Sequence, residues 1–103
     1  MKVLKAYLAK RLALTSKPSM SPRFPKGTVF IIDKQEPPRD GDLVLVKIKD
    51  SEGLTLRDLM VDPPQWRLQP VVQGSEPLVF AKGRHEVVGV VMMTLFHAQG
   101  VGI

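Results

Sequence analysis

At 103 residues, 44% of them hydrophobic and 24% charged, the chain can build one core and has no length for a second domain. It contains no cysteine, which excludes disulfides, thiolate metal sites and a cysteine nucleophile and fits a reducing, cytoplasmic setting. No apolar stretch approaches the roughly 20 residues of a membrane-spanning helix, and none resembles a secretory signal.

The net charge of +5 is unevenly placed. Lys2, Lys5, Lys10, Arg11, Lys17, Arg23 and Lys26 all precede the first acid, Asp33, whereas the rest of the chain holds eight basic and ten acidic residues. Clustered bases can lie near a polyanion, but a solvated flank is the better reading. No aromatic interleaving, zinc-ligand spacing or glycine-rich phosphate loop accompanies the bases.

In chain order, residues 1–11 place Val3, Leu4, Tyr7, Leu8 and Leu12 at three- and four-residue spacings with lysines between them, a short amphipathic helical pattern. At this length a basic arm or linker packing on its own domain is favoured over a presequence or a membrane-surface helix. Lys10–Ser16 is expected to be a strand. Lys17–Thr28 is punctuated by Pro18, Pro22, Pro25 and Gly27 and reads as a rigid, exposed turn that presents the hydroxyl of Ser19.

From Thr28 the pattern is β. Thr28–Asp33 is a β-branched and aromatic run. Asp42–Lys49 alternates, with Val44, Val46 and Ile48 on one face and Leu43, Leu45 and Lys47 on the other. Asp50-Ser51-Glu52-Gly53 turns into a strand over Leu54–Met60, which Asp62-Pro63-Pro64 ends. Trp66–Val71, Leu78–Phe80 and a long apolar Glu86–Phe96 complete the set. Gly89 within Val87-Val88-Gly89-Val90-Val91 predicts a bulge or a close backbone approach. Turn signals every eight to twelve residues between short strands predict a mostly β domain, a small sandwich or barrel. The domain is expected over residues 12–97, with 98–103 a flexible tail.

Six pieces recur in a familiar order: Ser19-Met20-x-Pro22; Phe24-Pro25-x-Gly27 before a strand ending in Asp33; Pro38-Arg39-Asp40-Gly41-Asp42; Thr55-Leu56-Arg57-Asp58-Leu59; Leu68-x-Pro70; and Val88-Gly89-Val90-Val91. Over roughly residues 10–96 this succession resembles the C-terminal domain of LexA-like and phage repressors. These form the S24 family of self-cleaving serine peptidases, which includes UmuD-type proteins of the SOS response. The resemblance implies a LexA-like β fold in which Ser19 takes the nucleophile position. A buried lysine acts as general base in that family, since an amine in apolar surroundings gives up its proton and can then accept one from the serine.

At that base position this chain has Arg57. A guanidinium stays protonated in proteins and cannot act as a base, so Ser19 is expected to be unactivated. Two further departures agree. No Ala-Gly pair precedes the turn, and Pro18 removes a backbone N–H just before Ser19. The alternative is an active Ser-Lys autopeptidase in which Lys47 or Lys49, on the preceding strand, takes the base role.

Other sites are weak. His85 and His97 lack partner ligands, so no metal site is expected, and no cofactor is implied. Asp40 and Asp42 flank Gly41 in a turn and are expected to cap backbone groups. Trp66 suits either a core anchor or a partner surface. Met92 and Met93 suit core or interface filling. The resemblance therefore implies an oligomerisation and regulatory domain of a repressor-like regulator. It would form a homodimer through Glu86–Phe96, contact DNA only through a helix-turn-helix module outside this chain, and meet a recombinase filament as partner.

Overall fold

The computed structural model describes residues 11–16, 23–51, 53–72 and 74–96. They form seven strands: β1 (Arg11–Thr15), β2 (Val29–Asp33), β3 (Leu43–Ile48), β4 (Leu54–Asp62), β5 (Gln65–Pro70), β6 (Leu78–Val79) and β7 (His85–Leu95). All seven join in one antiparallel sheet of order β1-β2-β7-β3-β4-β5-β6. The all-β expectation holds, and each expected strand is present within two residues of its expected ends. No helix among the described residues is long and apolar enough to cross a membrane.

The alternation in β3 organises the core. Val44 and Val46 are fully buried in one cluster with Leu59, Leu68 and Val90, and Ile48 packs against it. Leu45, between them, belongs to a second cluster with Phe30, Ile32 and Leu56, against which Leu43 packs. The period-2 geometry of a strand places neighbours on opposite faces, so this sheet buries apolar side chains on both. A central strand that is apolar on both faces needs cover on both.

β7 reconciles the two faces by breaking the alternation. It shifts register against β3 between Leu45 and Val46, where Gly89 and Val87 are the successive partners and Val88 is the extra residue. It shifts again against β2 between Ile31 and Ile32, where Met92 is extra. The first shift lets Val87 and Val90, three residues apart, serve the same cluster, which strict alternation would forbid. The close approach expected at Gly89 is also present. A Cβ there would lie 2.6 Å from the Ile32 Cγ2 and 2.9 Å from the Asp33 carbonyl oxygen.

The turns use the chemistry of their residues. Asp42 accepts the Arg39 N–H at 2.7 Å and Asp40 accepts the Val61 N–H at 2.8 Å, so both carboxylates cap backbone as expected. Gly41, between them, has φ 90°, a conformation that a side chain would strain. Trp66 is half-buried and anchors the edge of the first cluster beside Phe80, the rings 5.7 Å apart. Met92 and Met93 are 50% and 55% exposed and fill no core.

Candidate functional site

Arg57 lies mid-strand in β4, opposite Val44 on β3 and Pro70 on β5. Flanked on both sides by paired strands, its side chain is only 8% exposed. Its Nη1 donates to the Leu68 carbonyl at 3.3 Å and to the Glu76 carbonyl at 2.8 Å. Its Nε is buried without a hydrogen-bond partner. No carboxylate lies within ion-pairing distance of it among the described residues. Desolvation alone therefore pushes its pKa below the ordinary guanidinium value. The group remains a cation near neutrality, because guanidinium starts so far above that range.

This arrangement makes Arg57 a tie. One guanidinium nitrogen links β5 to the segment before β6, and the planar fork suits two carbonyls at once. A proton acceptor is absent: every nitrogen of the group is a donor. Lys47 and Lys49, the displaced base candidates, are exposed at the far end of β3. Lys47 stands opposite Leu54 and Glu86, three registered pairs from Arg57.

Ser19 and Pro18 lie outside the described residues, as does His97. The described residues on either side, Ser16 and Arg23, are both held by side-chain hydrogen bonds. On one side, the Ser16 hydroxyl donates to the Pro25 carbonyl at 2.7 Å and accepts the buried Thr28 N–H at 3.0 Å. The Ser16 N–H donates to the Thr28 carbonyl at 2.7 Å, and the Thr28 hydroxyl donates to the Pro25 carbonyl at 2.7 Å. These bonds close the base of the turn and satisfy polar groups that burial would otherwise penalise.

On the other side, Arg23 binds Asp58 of β4 through both terminal guanidinium nitrogens, the Nη2–Oδ1 bond being 2.9 Å. The hydrogen bonds to Asp58 raise the Arg23 pKa above its ordinary value. The Arg23 guanidinium also sits 4.9 Å from the Phe24 ring centroid. Phe24 packs edge-on against Phe30 at 5.0 Å and so belongs to the margin of the second cluster. Nothing in the sequence pairs Arg23 with Asp58. Their separation of 35 positions carries no local signal, and both residue types are ordinary surface choices.

His85 is half-buried, and its Nδ1 accepts the Ala81 N–H at 2.9 Å while its ring lies 5.9 Å from Phe80. That use is local support of the turn before β7.

The comparisons agree with this architecture. The Peptidase S24-like family model matches residues 12–92. The chain is similar to the HTH-type transcriptional regulator for conjugative element R391 of Providencia rettgeri, with 30% identity over 78 residues, 76% of this chain and 36% of that protein. It is equally similar to the regulator for conjugative element SXT of Vibrio cholerae. To Repressor protein C2 of Salmonella phage P22 it is 28% identical over 68 residues, 66% of this chain and 31% of that protein. The chain thus spans about a third of the length of these relatives. The family match runs from β1 into β7 and takes in the strand that carries Arg57: this chain belongs to the Peptidase S24-like family.

Proposed function

We propose that the chain is the C-terminal regulatory and oligomerisation domain of a repressor-like transcriptional regulator, and that it does not cleave itself. The observation that carries the second half is Arg57. In the position of the family's base stands a group with no lone pair to offer, already committed to two carbonyls. Ser19, the residue at the nucleophile position, then has no partner to take its proton. The relatives named as transcriptional regulators and as a repressor support the first half. DNA would be engaged through a helix-turn-helix module outside the chain.

The pairing of two copies has support in β7. β3 covers β7 only from His85 to Val90, and β2 covers it from Val90 to Leu95. Beyond Val90 one edge of β7 therefore has no strand beside it among the described residues. Along that stretch Met92, Met93, Leu95 and Phe96 are all at least half exposed. An open edge with apolar flanks is a template for strand pairing, and a second copy offers the same edge in two-fold relation. Two copies joined this way would present two DNA-binding modules to two half-sites. A recombinase filament, the partner that the resemblance implies, would find no cleavage to stimulate.

Incubation of a chain carrying its upstream segment at alkaline pH, followed by intact mass, tests the non-cleaving reading. The expected result is no cleavage. Cleavage lost in Ser19→Ala and kept in Arg57→Ala would establish the autopeptidase instead. Sedimentation across concentrations tests the dimer, which fails if the species is monomeric at high micromolar concentration.

A further inference from the structure

At the end of the sheet away from Arg23, β3 and β7 bring four charged side chains to one patch. Lys47 stands opposite Glu86 and Ile48 opposite His85, and the Lys49 N–H donates to the Arg84 carbonyl at 2.8 Å, so Arg84 lies across from Lys49. Lys47 and Glu86 lie on the two strands and Lys49 and Arg84 in the turns just beyond their ends, and the four border one surface, three cations and one carboxylate. All four are exposed. With Gly83 and His85 they line a cleft of about 400 Å³.

The patch runs against the charge of its surroundings. From Asp33 onward the chain is net acidic, yet Lys47, Lys49, Lys82 and Arg84, four of its eight bases, belong to this end. None of Lys47, Lys49 and Arg84 is ion-paired among the described residues. Like charges directly opposite each other destabilise a sheet. Glu86 can offset one of them, and Asp50, the residue after Lys49, is the other carboxylate described in the adjoining turns. The presentation is firm as well: the Arg84 and His85 N–H groups both donate to the Ala81 carbonyl, at 3.0 and 2.9 Å.

We propose that this patch binds the phosphates of a nucleic-acid backbone, with Lys49 and Arg84 as the pair that holds a phosphate and Lys47 beside them. No aliphatic residue lines the cleft, and three of its side chains carry positive charge, which favours an anionic backbone over an apolar peptide or lipid surface. No amide side chain lines it, and the one ring that does, His85, has its Nδ1 committed to the Ala81 N–H, so binding is independent of sequence, weak and strongly dependent on salt. The proposal rests on the reading that the chain works beside DNA held by an attached module. There the patch would add affinity through local concentration.

The test is the fluorescence anisotropy of a labelled duplex of arbitrary sequence, titrated with the whole chain between about 20 and 200 mM salt. Lys49→Gln with Arg84→Gln is expected to weaken binding at least about tenfold at low salt. It should also flatten the slope of log affinity against log salt by about 2, since each phosphate contact contributes about 0.9. Glu86→Gln should tighten binding, and Lys34→Gln with Arg39→Gln should leave the slope unchanged. The double variant should melt no lower than the parent chain, because it relieves a repulsion.

An unchanged slope in the double variant overturns the proposal and transfers any binding to the N-terminal bases. Polyglutamate competing as well as duplex, charge for charge, also overturns it, in favour of an acidic protein. Neither result touches the sedimentation and mass tests of the repressor reading. A monomeric, self-cleaving chain would defeat that reading and leave the duplex slope as it was.

Discussion

Arg23 grips Asp58 through both terminal guanidinium nitrogens, fastening the segment before β2 to the strand that carries Arg57 at the neighbouring position. Asp58 and Arg57 are adjacent and so leave β4 on opposite faces. Asp58 faces the side of Leu56, Phe24 and Phe30, and Arg57 the side of Val44, Leu59 and Leu68. The latch and the tie thus hold the same strand from its two sides.

The latch is a partly exposed ion pair, with side-chain exposures of 49% and 26%, so its removal should cost little stability. Asp58→Ala is expected to lower the unfolding free energy by no more than about 1 kcal/mol. The local effect should be larger, with tryptic cleavage after Arg23 accelerating several-fold, measured by mass spectrometry under native conditions. Because the Arg23 pKa is raised, its contribution is complete below the ordinary guanidinium value and is lost only as pH rises through the higher folded value. Mildly alkaline buffer should therefore leave the latch closed.

Arg57 has the opposite sign. Its folded pKa is lowered by burial, so the cost of the buried charge is present in full at neutral pH. That cost is relieved only as pH climbs from the lowered value toward the ordinary one. Stability should show no contribution from this residue's titration between about pH 6 and 9. Arg57→Lys replaces a fork by a single ammonium and is expected to cost about 1–2 kcal/mol at neutral pH. A buried ammonium gives up its proton at lower pH, so the variant should recover part of that loss by about pH 10. Urea unfolding of both proteins at the two pH values measures it.

Gly89 is required by space. Gly89→Ala would drive a methyl group to 2.6 Å from Ile32 and 2.9 Å from the Asp33 carbonyl, and the carbonyl belongs to a paired strand that cannot step aside. The expected loss is about 1–3 kcal/mol, seen as a lower urea midpoint with the slope unchanged.

The β7 edge makes a separable prediction. Met93→Lys with Leu95→Lys changes side chains that are about half exposed in the single chain, so monomer stability should move by less than about 0.5 kcal/mol. Self-association should weaken at least about tenfold, corresponding to about 1.4 kcal/mol. Sedimentation and thermal unfolding of the same samples separate the two effects.

The strands were legible because their signals are local. Alternation in Leu43–Ile48, turn residues at Asp40-Gly41 and Asp50–Gly53, and the glycine in the middle of β7 each act within a few residues. The two bulges of β7 were legible only in part. Gly89 announced a disturbance, but that Val87 and Val90 share a face depends on which residue of the partner strand each one meets.

The proposal that Arg57 occupies the base position rests on an equally local pattern, and the chemistry of guanidinium follows from its identity alone. What holds Arg57 was not legible. Its partners are carbonyls of Leu68 and Glu76, and a carbonyl carries no mark in sequence because every residue has one. Arg23 with Asp58, and the patch of Lys47, Lys49 and Arg84, likewise exist only after folding. Sequence alone determined the β elements, the absence of cysteine and the uneven charge. Tertiary structure decided which charges meet, because electrostatic and hydrogen-bond partners are chosen by distance in space, and distance in space is set by strand order and register.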